Sequence, residues 1–339
     1  MIFVTGGTGF LGRFLIPALC RAGYALKVLT RTPEQHTWLE MYPGITIVKG
    51  DLQDKDAVFA AMAGCDRVIH AASLFSMWQY AGDFSQNVTG TVHILDAAIH
   101  HNIKKLVYVS TAAVVGTPIP GQIVDEQHPV APADPYQQSK LDSENLVLEY
   151  FKKINFPGVV IRPGAFYGPM GDYAFNRLFF KDPRRGIIMQ MDGGRYTIFP
   201  VYVGDVASGI VLALENGQPG EIYNICGECL THRAAFDIIC EQANLRWLPR
   251  LNLPDWLGIN FSRLLTWLSL VTRREPFYPV GLRSYVFNNW HVSSEKAKHD
   301  LGFVPIPFEE GVRRTLEWYQ LKQPDMLAEL ECDTPLNET

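Results

Sequence analysis

Tyr136 and Lys140 are the two residues of this chain whose types and spacing best fit proton-transfer chemistry. Residues four apart lie on one face of a helix, so a helix through Tyr136-Gln137-Gln138-Ser139-Lys140 brings the phenol and the ammonium group side by side. A free tyrosine has a pKa near ~10, and a neighbouring positive charge favours the phenolate and lowers that pKa. The pair alone also fits a solvated helix face. A nucleotide site and a hydroxyl donor are needed to distinguish the two interpretations.

A glycine-rich turn near the start of the chain supplies the nucleotide site. Glycines 6, 9 and 12 lie between an apolar run at residues 2–4 and a helical pattern over 10–20. In a strand–turn–helix unit, Gly6 permits the tight turn, Gly9 lets the backbone approach a pyrophosphate, and Gly12 lets the helix pack closely on the strand. The unpaired N–H groups at the start of the helix then face the phosphates. This pattern predicts a dinucleotide cofactor.

The residue at the end of the second predicted strand indicates which dinucleotide is preferred. NAD sites usually have a carboxylate there, which binds the ribose hydroxyls. This chain has Thr30-Arg31 at that place, and a guanidinium can pair with a 2′-phosphate through two hydrogen bonds. We therefore expect NADP(H) rather than NAD(H). The alternative is that Arg31 is an ordinary loop arginine.

Further apolar runs indicate the other strands of the fold. They cover residues 25–29, 45–48, 67–70, 105–109 and 158–161, with helix-length segments between them. Continuous apolar strands are typical of a sheet that is covered by helices on both faces. The alternation of strands and helices therefore predicts an α/β fold with a Rossmann-type, doubly wound parallel sheet.

The regular alternation ends after residue 164, where glycines and prolines become frequent. We expect a nucleotide-binding domain formed by residues 1–164 and about 195–245. A smaller, mostly helical substrate-binding part is expected from about 165–194 and 246–325, and residues 326–339 are expected to form a loose tail.

The composition is that of a globular protein that acts on a small molecule. Hydrophobic residues make up 47% of the 339 residues, the net charge is −5, and no dense Lys or Arg run is present, which argues against nucleic acid as the main partner. The cysteines are dispersed in a chain without a signal peptide, which predicts reduced thiols in the cytoplasm. Cys226-Gly227-Glu228-Cys229 has no second ligand pair at zinc-site spacing, so no metal is expected.

The most apolar stretch of the chain lies at Trp256–Val271. It is interrupted by Asn260 and Arg263 and falls short of the ~20 apolar residues that span a bilayer. We expect an amphipathic helix that packs in the core or lines the pocket. A contact with a membrane surface, aided by Arg273 and Arg274, is the alternative.

Several motifs occur in register, and together they resemble the extended short-chain dehydrogenase/reductase family, also called the NAD-dependent epimerase/dehydratase family. The resemblance covers about residues 1–230. In chain order it rests on Thr5–Gly12, Asp51-Leu52, His70-Ala71-Ala72, Asn87-Val88-Thr89-Gly90-Thr91, Val109–Gly116, Tyr136-x-x-x-Lys140, Arg162–Pro169 and Val201–Ala207.

The resemblance implies a role for each motif. Tyr136 is the acid that protonates a carbonyl oxygen as hydride arrives, and the base in the reverse direction, while Lys140 also holds the nicotinamide ribose. The catalytic hydroxyl, counted back from Gly116, falls on Thr111, and Ser110 is the alternative. The two are not equivalent, because successive strand residues point to opposite faces. The implied cofactor contacts, with Arg31 added, are Gly6, Gly9, Phe10, Leu11, Gly12, Arg31, Asp51, Leu52, Ala71, Ala72, Asn87, Tyr136, Lys140, Pro163 and Gly164.

The residues around the site narrow the choice of reaction. Ala112-Ala113 stand where sugar 4,6-dehydratases of this family have Asp-Glu, which speaks against dehydration. Apolar pocket walls fit a ketone or aldehyde on a hydrophobic molecule. The residues expected to form these walls are Phe75, Trp78, Phe166 and Tyr167, together with the Trp-rich region after Trp247.

The chain looks most like the branch of dihydroflavonol reductases and 3β-hydroxysteroid dehydrogenases. That resemblance implies an NADPH-dependent reductase, or a dehydrogenase in the reverse direction, that acts on a hydrophobic carbonyl compound and forms a homodimer. One alternative is a nucleotide-sugar or hopanoid-associated enzyme similar to the epimerases. Another is an NADP-sensing regulator that is not an enzyme.

Overall fold

The computed structural model describes residues 1–78 and 82–320, so the tail expected at 326–339 lies outside the described residues. Its strands are β1 (Ile2–Thr5), β2 (Leu26–Thr30), β3 (Ile45–Lys49), β4 (Arg67–His70), β5 (Lys105–Val109), β6 (Gly158–Pro163), β7 (Ala165–Tyr167), β8 (Ile188–Met191), β9 (Thr197–Ile198), β10 (Pro200–Tyr202), β11 (Ile222–Ile225), β12 (Leu230–Thr231) and β13 (Arg250–Leu253). Its α-helices are α1 (Gly12–Arg21), α2 (Lys55–Met62), α3 (Ser85–His100), α4 (Pro135–Ile154), α5 (Ala174–Asn176), α6 (Asp182–Arg184), α7 (Val203–Asn216), α8 (His232–Gln242), α9 (Asp255–Thr272), α10 (Arg283–Val286), α11 (Glu295–Leu301) and α12 (Phe308–Gln320).

A seven-stranded parallel sheet forms the centre of the molecule, in the order β11-β6-β5-β4-β1-β2-β3. The chain builds outward from β1 to β3, then crosses back to β4 and builds in the other direction. Ligands of open α/β sheets bind where the order reverses, at the carboxyl ends of the strands. The predicted doubly wound parallel sheet is confirmed, and every predicted apolar run forms one of its strands.

Helices cover both faces of this sheet. In β1, Ile2 and Val4 face the apolar cluster that contains α1 and α7, whereas Phe3 faces the cluster that contains α2 and α3. All three side chains are fully buried. Burial on both faces explains why the strands read as continuous apolar runs rather than alternating ones.

The remainder of the chain forms a smaller part beside the carboxyl ends of the strands. It contains three two-stranded sheets, β10-β7, β12-β9 and β13-β8, and the helical segments after β13. Trp290 is fully buried and its ring centroid lies 4.1 Å from that of Phe199, which anchors the segment after α10 to the connection between β9 and β10.

Helix α9 does not have the predicted orientation. Its buried residues are small, Gly258, Ser262 and Ser269, whereas most of its large apolar side chains face outward. Ile259 and Leu265 are half-buried exceptions. The prediction of a helix that buries its apolar face in the core or the pocket is therefore wrong for most of this face. No helix in residues 1–78 and 82–320 is long and apolar enough to cross a membrane.

Candidate active site

One cavity of about 780 Å³ opens at the carboxyl ends of the central strands. Residues of the glycine turn and of the ends of β2 and β3 line one part of it, and residues of the smaller part line another. Tyr136 and Lys140 line the same cavity, as do Ser110 and Thr111. The structure therefore brings the motifs that were read separately in the sequence into one continuous site.

The glycine turn is shaped for a close approach of its backbone to a ligand. Gly6 has φ +74°, and a Cβ there would lie 2.6 Å from the backbone of Ala71 and Ala72. A Cβ at Gly12 would lie 2.2 Å from the carbonyl oxygen of Gly7, so Gly12 is required for packing. Gly9 is open, with nothing closer than 3.5 Å to the place of a Cβ. No side chain caps the start of α1, so these residues fit the phosphates of a dinucleotide.

Arg31 follows β2 directly and lines the cavity with an exposed side chain. It has no ion pair with another residue of the described chain. Asp51 and Leu52 line the cavity beside it, after β3, and an Asp51 carboxylate oxygen accepts a hydrogen bond of 3.0 Å from the Gln53 N–H. Thr32 and His36, which the sequence did not single out, also contribute to this part of the wall.

His70 holds the turn after β4 in place through two side-chain hydrogen bonds. Its Nδ1 lies 2.7 Å from the Thr5 hydroxyl and its Nε2 lies 3.1 Å from the Thr91 hydroxyl. The same Thr5 hydroxyl accepts a hydrogen bond from the Ala72 N–H. Burial lowers the pKa of His70 to about 3, so the imidazole is neutral. These contacts fix Ala71 and Ala72 at the cavity wall.

Asn87 joins three segments at the site. Its side-chain oxygen accepts a hydrogen bond of 2.7 Å from the Leu74 N–H, and its amide donates to the Leu74 carbonyl and to the Ser139 hydroxyl. Ser139 in turn donates to the carbonyl of Tyr136. Asn87, which was predicted to contact the cofactor, thus also holds the start of α4 against the loop that contains Phe75.

Lys140 is buried, with 2% of its surface exposed. Its ammonium donates to the Val109 carbonyl at 2.5 Å and lies 4.4 Å from the ring centroid of Tyr108. Burial lowers the pKa of Lys140 to about 7, and the Glu144 carboxylate opposes this shift. This amine therefore loses its proton more readily than that of an exposed lysine.

The pKa of Tyr136 differs from the sequence-based expectation. We expected Lys140 to lower it, but in the structure burial raises it well above its usual value, and the nearby Asp134 carboxylate adds to the rise. The ring centroid of Tyr136 lies 4.8 Å from that of Phe75, which covers part of the half-buried Tyr136 side chain. The phenol is therefore held protonated in the free protein, as a proton donor requires.

Ser110 and Thr111 differ in how their hydroxyl groups are used. The Thr111 hydroxyl accepts a hydrogen bond of 3.2 Å from the Ala113 N–H and begins a short 3₁₀ turn. The Ser110 hydroxyl is buried and has no hydrogen-bond partner among the described residues. Both residues line the cavity, so the geometry keeps both as candidates for the hydroxyl that binds a substrate oxygen.

Four residues that were predicted to contact a ligand lie outside the cavity wall. Tyr167 is buried in the core, where its hydroxyl donates to the Phe308 carbonyl at 3.2 Å. Trp78 donates its indole N–H to the Ser269 hydroxyl of α9 at 3.0 Å. Gly12 serves packing, and Pro163 is buried as the last residue of β6. The other predicted contacts line the cavity: Gly6, Gly9, Phe10, Leu11, Arg31, Asp51, Leu52, Ala71, Ala72, Phe75, Asn87, Thr111, Tyr136, Lys140, Gly164 and Phe166.

The region after Trp247 was expected to form a pocket wall, and Leu282, Tyr285 and Val286 of that region line the cavity. Sequence reasoning missed the other parts of this far wall and did not single out any of its residues. Tyr173, Phe179, His232 and Tyr285 line it, and they come from three separate segments, because Tyr173 and Phe179 lie close together in the chain. Gln137 fixes one of these segments, because its amide donates to the Ser284 hydroxyl at 3.1 Å. No local pattern marks these residues, since only the folded chain brings their segments together.

A parallel sheet with a glycine turn at its switch point and a Tyr–Lys pair beside it defines an NAD(P)-dependent oxidoreductase with a Rossmann-type fold. The chain belongs to the NAD dependent epimerase/dehydratase family, which matches residues 2–226. The resemblance inferred from the motifs is thereby confirmed.

Similar proteins carry out more than one reaction. The chain is 37% identical over 227 residues to the 4-hydroxy-2-methyl-3-oxo-4-farnesyl-3,4-dihydroquinoline-1-oxide ketoreductase of Stigmatella aurantiaca. The aligned residues cover 65% of this chain and 66% of the ketoreductase. It is 30% identical to 3 beta-hydroxysteroid dehydrogenase type 7 of Mus musculus, over 94% and 95% of the two chains. The fold matches that of a dTDP-glucose 4,6-dehydratase from Streptomyces venezuelae solved with NAD, with a TM-score of 0.77. The two sequences are 24% identical, and the match covers 95% of this chain and 97% of the dehydratase.

Proposed function

We propose that the protein is an NADPH-dependent reductase of a ketone or aldehyde group on a hydrophobic small molecule. The observation that supports this most is that Tyr136 and Lys140 line the same cavity as the glycine turn and an apolar wall. A dinucleotide and an apolar carbonyl compound can therefore meet beside one proton donor. The apolar wall comprises Phe75, Phe166, Leu178, Phe179, Ile198, Phe199, Leu282 and Val286.

Each polar residue has a defined task in this reaction. NADPH, when bound, supplies the hydride. Tyr136 gives its phenolic proton to the substrate oxygen as negative charge develops there, and the raised pKa keeps that proton in place beforehand. The Thr111 hydroxyl donates a hydrogen bond to the same oxygen, and Lys140 stabilises the phenolate that forms. Lys140 would also hold the ribose of the nicotinamide when the cofactor is bound.

The preference for NADPH rests on Arg31. Its guanidinium stands at the end of β2 without an ion-pair partner in the described chain, so it is available for a 2′-phosphate. Glu34, the nearest acidic residue along the chain, is exposed and is not part of the cavity wall. The relative solved with NAD shares the fold but does not decide the preference of this chain.

A reductase fits the site better than a dehydratase. Ala112 and Ala113 are fully buried in a small apolar cluster with Phe199 and Trp290, so the two positions that follow Thr111 supply no carboxylate. An apolar wall also differs from the basic and polar surface that a sugar diphosphate requires. The ketoreductase and the hydroxysteroid dehydrogenase named above share this reaction type with the proposal.

The test is a comparison of cofactor retention and turnover. Purified protein is scanned for bound nicotinamide, then mixed with NADPH or NADH and a panel of hydrophobic ketones, aldehydes and UDP-sugars while the band near ~340 nm is followed. We expect net loss of NADPH with the ketones. Retained cofactor without net turnover would instead indicate an epimerase, and neither result would indicate a sensor.

The resemblance extends the proposal to assembly and location. We expect a cytoplasmic homodimer, which light scattering after size exclusion measures directly. A mass of one chain at all concentrations would contradict the dimer without affecting the assignment of the reaction.

A further inference from the structure

Helix α9 presents a large apolar face to solvent. Its exposed apolar side chains include Trp256 at 65%, Leu264 at 53%, Trp267 at 62% and Val271 at 77% of their surface. Leu257, Phe261, Leu268 and Leu270 are also exposed. A surface helix of a water-soluble domain normally has the opposite arrangement, with its apolar stripe facing the core. An apolar patch of this extent usually marks an interaction site.

Contacts of the inner face of α9 explain why the helix does not rotate about its axis and bury its apolar face. A Cβ at Gly258 would lie 2.6 Å from Met191 Sδ, so the helix approaches the body more closely there than a larger side chain allows. Ser269 receives the indole N–H of Trp78 and donates to the carbonyl of Thr266. Small residues and specific hydrogen bonds fix the inner face, and the apolar face is left outside.

Most of the charged side chains on and directly after α9 are positive. Arg263, Arg273 and Arg274 are exposed, and none forms an ion pair with a carboxylate of the described residues. Asp255, the only acidic residue in the helix, already accepts a hydrogen bond from Tyr196 and lies 3.5 Å from Arg195. Glu275, which follows the arginines, accepts a hydrogen bond from the Tyr173 hydroxyl. The local field therefore favours a negatively charged partner.

We propose that α9 lies flat on the surface of a lipid bilayer that contains anionic headgroups. Tryptophans are enriched at the boundary between headgroups and acyl chains, and arginines beside them contact the phosphates. A second copy of the chain fits less well as the occupant. A two-fold contact places the same patch on both partners, so two patches that both carry these arginines would repel each other.

The position of α9 connects this surface to the active site. Asp255 and Ile259 line a second cavity of about 620 Å³, whose wall also includes Tyr136. Docking through α9 would therefore bring a cavity that reaches the proton donor close to the membrane surface. This link to a membrane-dissolved substrate rests on the proposed function, whereas vesicle binding through α9 does not.

Vesicle flotation tests the proposal on the full chain. The protein is mixed with phosphatidylcholine vesicles that contain phosphatidylglycerol, or with pure phosphatidylcholine vesicles, at low and high salt. We expect flotation with the anionic vesicles, and W256S/L264S/W267S should weaken it at least about tenfold. R263Q/R273Q/R274Q should weaken it at low salt and leave little difference between the two lipid compositions.

Matched control variants show whether binding depends on α9 or on exposed apolar and positively charged residues anywhere on the surface. I123S/I154S/V304S removes exposed apolar residues on other elements, and R21Q/K104Q/K152Q removes exposed positive charges elsewhere. Both controls should float like the wild type. NADPH binding, followed by fluorescence, should be the same in all variants because every changed side chain is already exposed.

Two outcomes would overturn the proposal. One is wild-type protein that stays with the soluble fraction in the presence of anionic vesicles. The other is a dimer, seen by analytical ultracentrifugation, that W256S/L264S/W267S dissociates while flotation is unchanged, since α9 would then bind a second copy. Absence of reductase activity in solution would contradict the proposed function but not the proposal that α9 binds vesicles.

Discussion

The ammonium of Lys140 donates a hydrogen bond of 2.5 Å to the main-chain carbonyl of Val109, the last residue of β5. Ser110 and Thr111 follow Val109 directly, while Tyr136 lies one turn before Lys140 on α4. The bond therefore joins the helix of the proton donor to the strand end that presents the two hydroxyl groups. Lys140 contributes position as well as charge.

Because Lys140 is buried, we predict that the free energy of unfolding depends on pH. Its pKa falls from 10.5 to about 7 on folding. Between these values the unfolded chain binds one proton more than the folded chain, so the free energy of unfolding rises with pH by up to about 1.4 kcal/mol per pH unit. Urea unfolding of the cofactor-free wild type and of K140M should show this rise in the wild type alone. Parallel curves for the two proteins between about pH 7 and 9 would contradict it.

Replacing Tyr136 by Phe should abolish proton donation while preserving the fold. We expect turnover to fall by about a hundredfold or more, since a positioned acid contributes this amount. NADPH affinity, measured by fluorescence titration, should change little. Y150F is the matched control, because Tyr150 lies on the same helix and its hydroxyl contacts only Asp96 among the described residues. If Y136F turns over at a rate near that of the wild type, the donor has been assigned to the wrong residue.

The two hydroxyl groups at the end of β5 should have unequal importance. We expect T111A to lower kcat by at least about tenfold and T111S to restore most of it, because only the hydroxyl is needed for a charge-assisted hydrogen bond. S110A should change kcat less, since its buried hydroxyl has no partner within the described structure. A larger loss in S110A than in T111A would transfer the role to Ser110.

Arg31 should determine the choice of cofactor. R31D should lower kcat/KM for NADPH by about tenfold to a hundredfold, as expected for the loss of hydrogen bonds to a charged group. The same change should raise kcat/KM for NADH relative to NADPH. R21D removes an exposed arginine outside the cavity wall and should leave the ratio unchanged. The preference would have to be reassigned if the wild type used NADH as efficiently as NADPH.

The buried ion pair between Arg162 and Glu144 should be the most sensitive polar contact behind the site. Arg162 binds the Glu144 carboxylate through two nitrogens, at 3.1 and 2.5 Å, and the side chains are 4% and 1% exposed. E144Q or R162M leaves one buried charge unpaired and should cost about 3–5 kcal/mol in urea unfolding. R162M/E144M should cost less than the sum of the single changes. E149Q, at an exposed pair of the same helix, should cost under about 1 kcal/mol.

The sheet, the glycine turn and the Tyr–Lys pair could be predicted because each depends on local spacing. Which side chains of a short strand face the cavity could not be predicted from the sequence. In β7, Phe166 lines the cavity while Tyr167 enters the core, and the choice is fixed by pairing with β10 rather than by residue type. The pKa of Tyr136 was predicted in the wrong direction because the sequence shows a neighbouring charge but not the extent of burial.

The orientation of α9 shows a second limit. Large apolar residues occupy most of the helix, so hydrophobicity alone does not say which face is inside. The small residues Gly258, Ser262 and Ser269 decide the matter, because they permit a close approach to the body. His232 and Phe179 were missed for a related reason, since they reach the cavity wall from separate segments.

Deuterium transfer is the most direct test of the proposed reaction. NADPH carrying deuterium at the transferred position of the nicotinamide is incubated with a hydrophobic ketone and either the wild type or Y136F, and the alcohol is analysed by mass spectrometry. The proposal predicts an alcohol with one deuterium on the carbinol carbon from the wild type, and almost none from Y136F. Equal labelled product from Y136F, or no labelled alcohol from any carbonyl compound with the wild type, would contradict it.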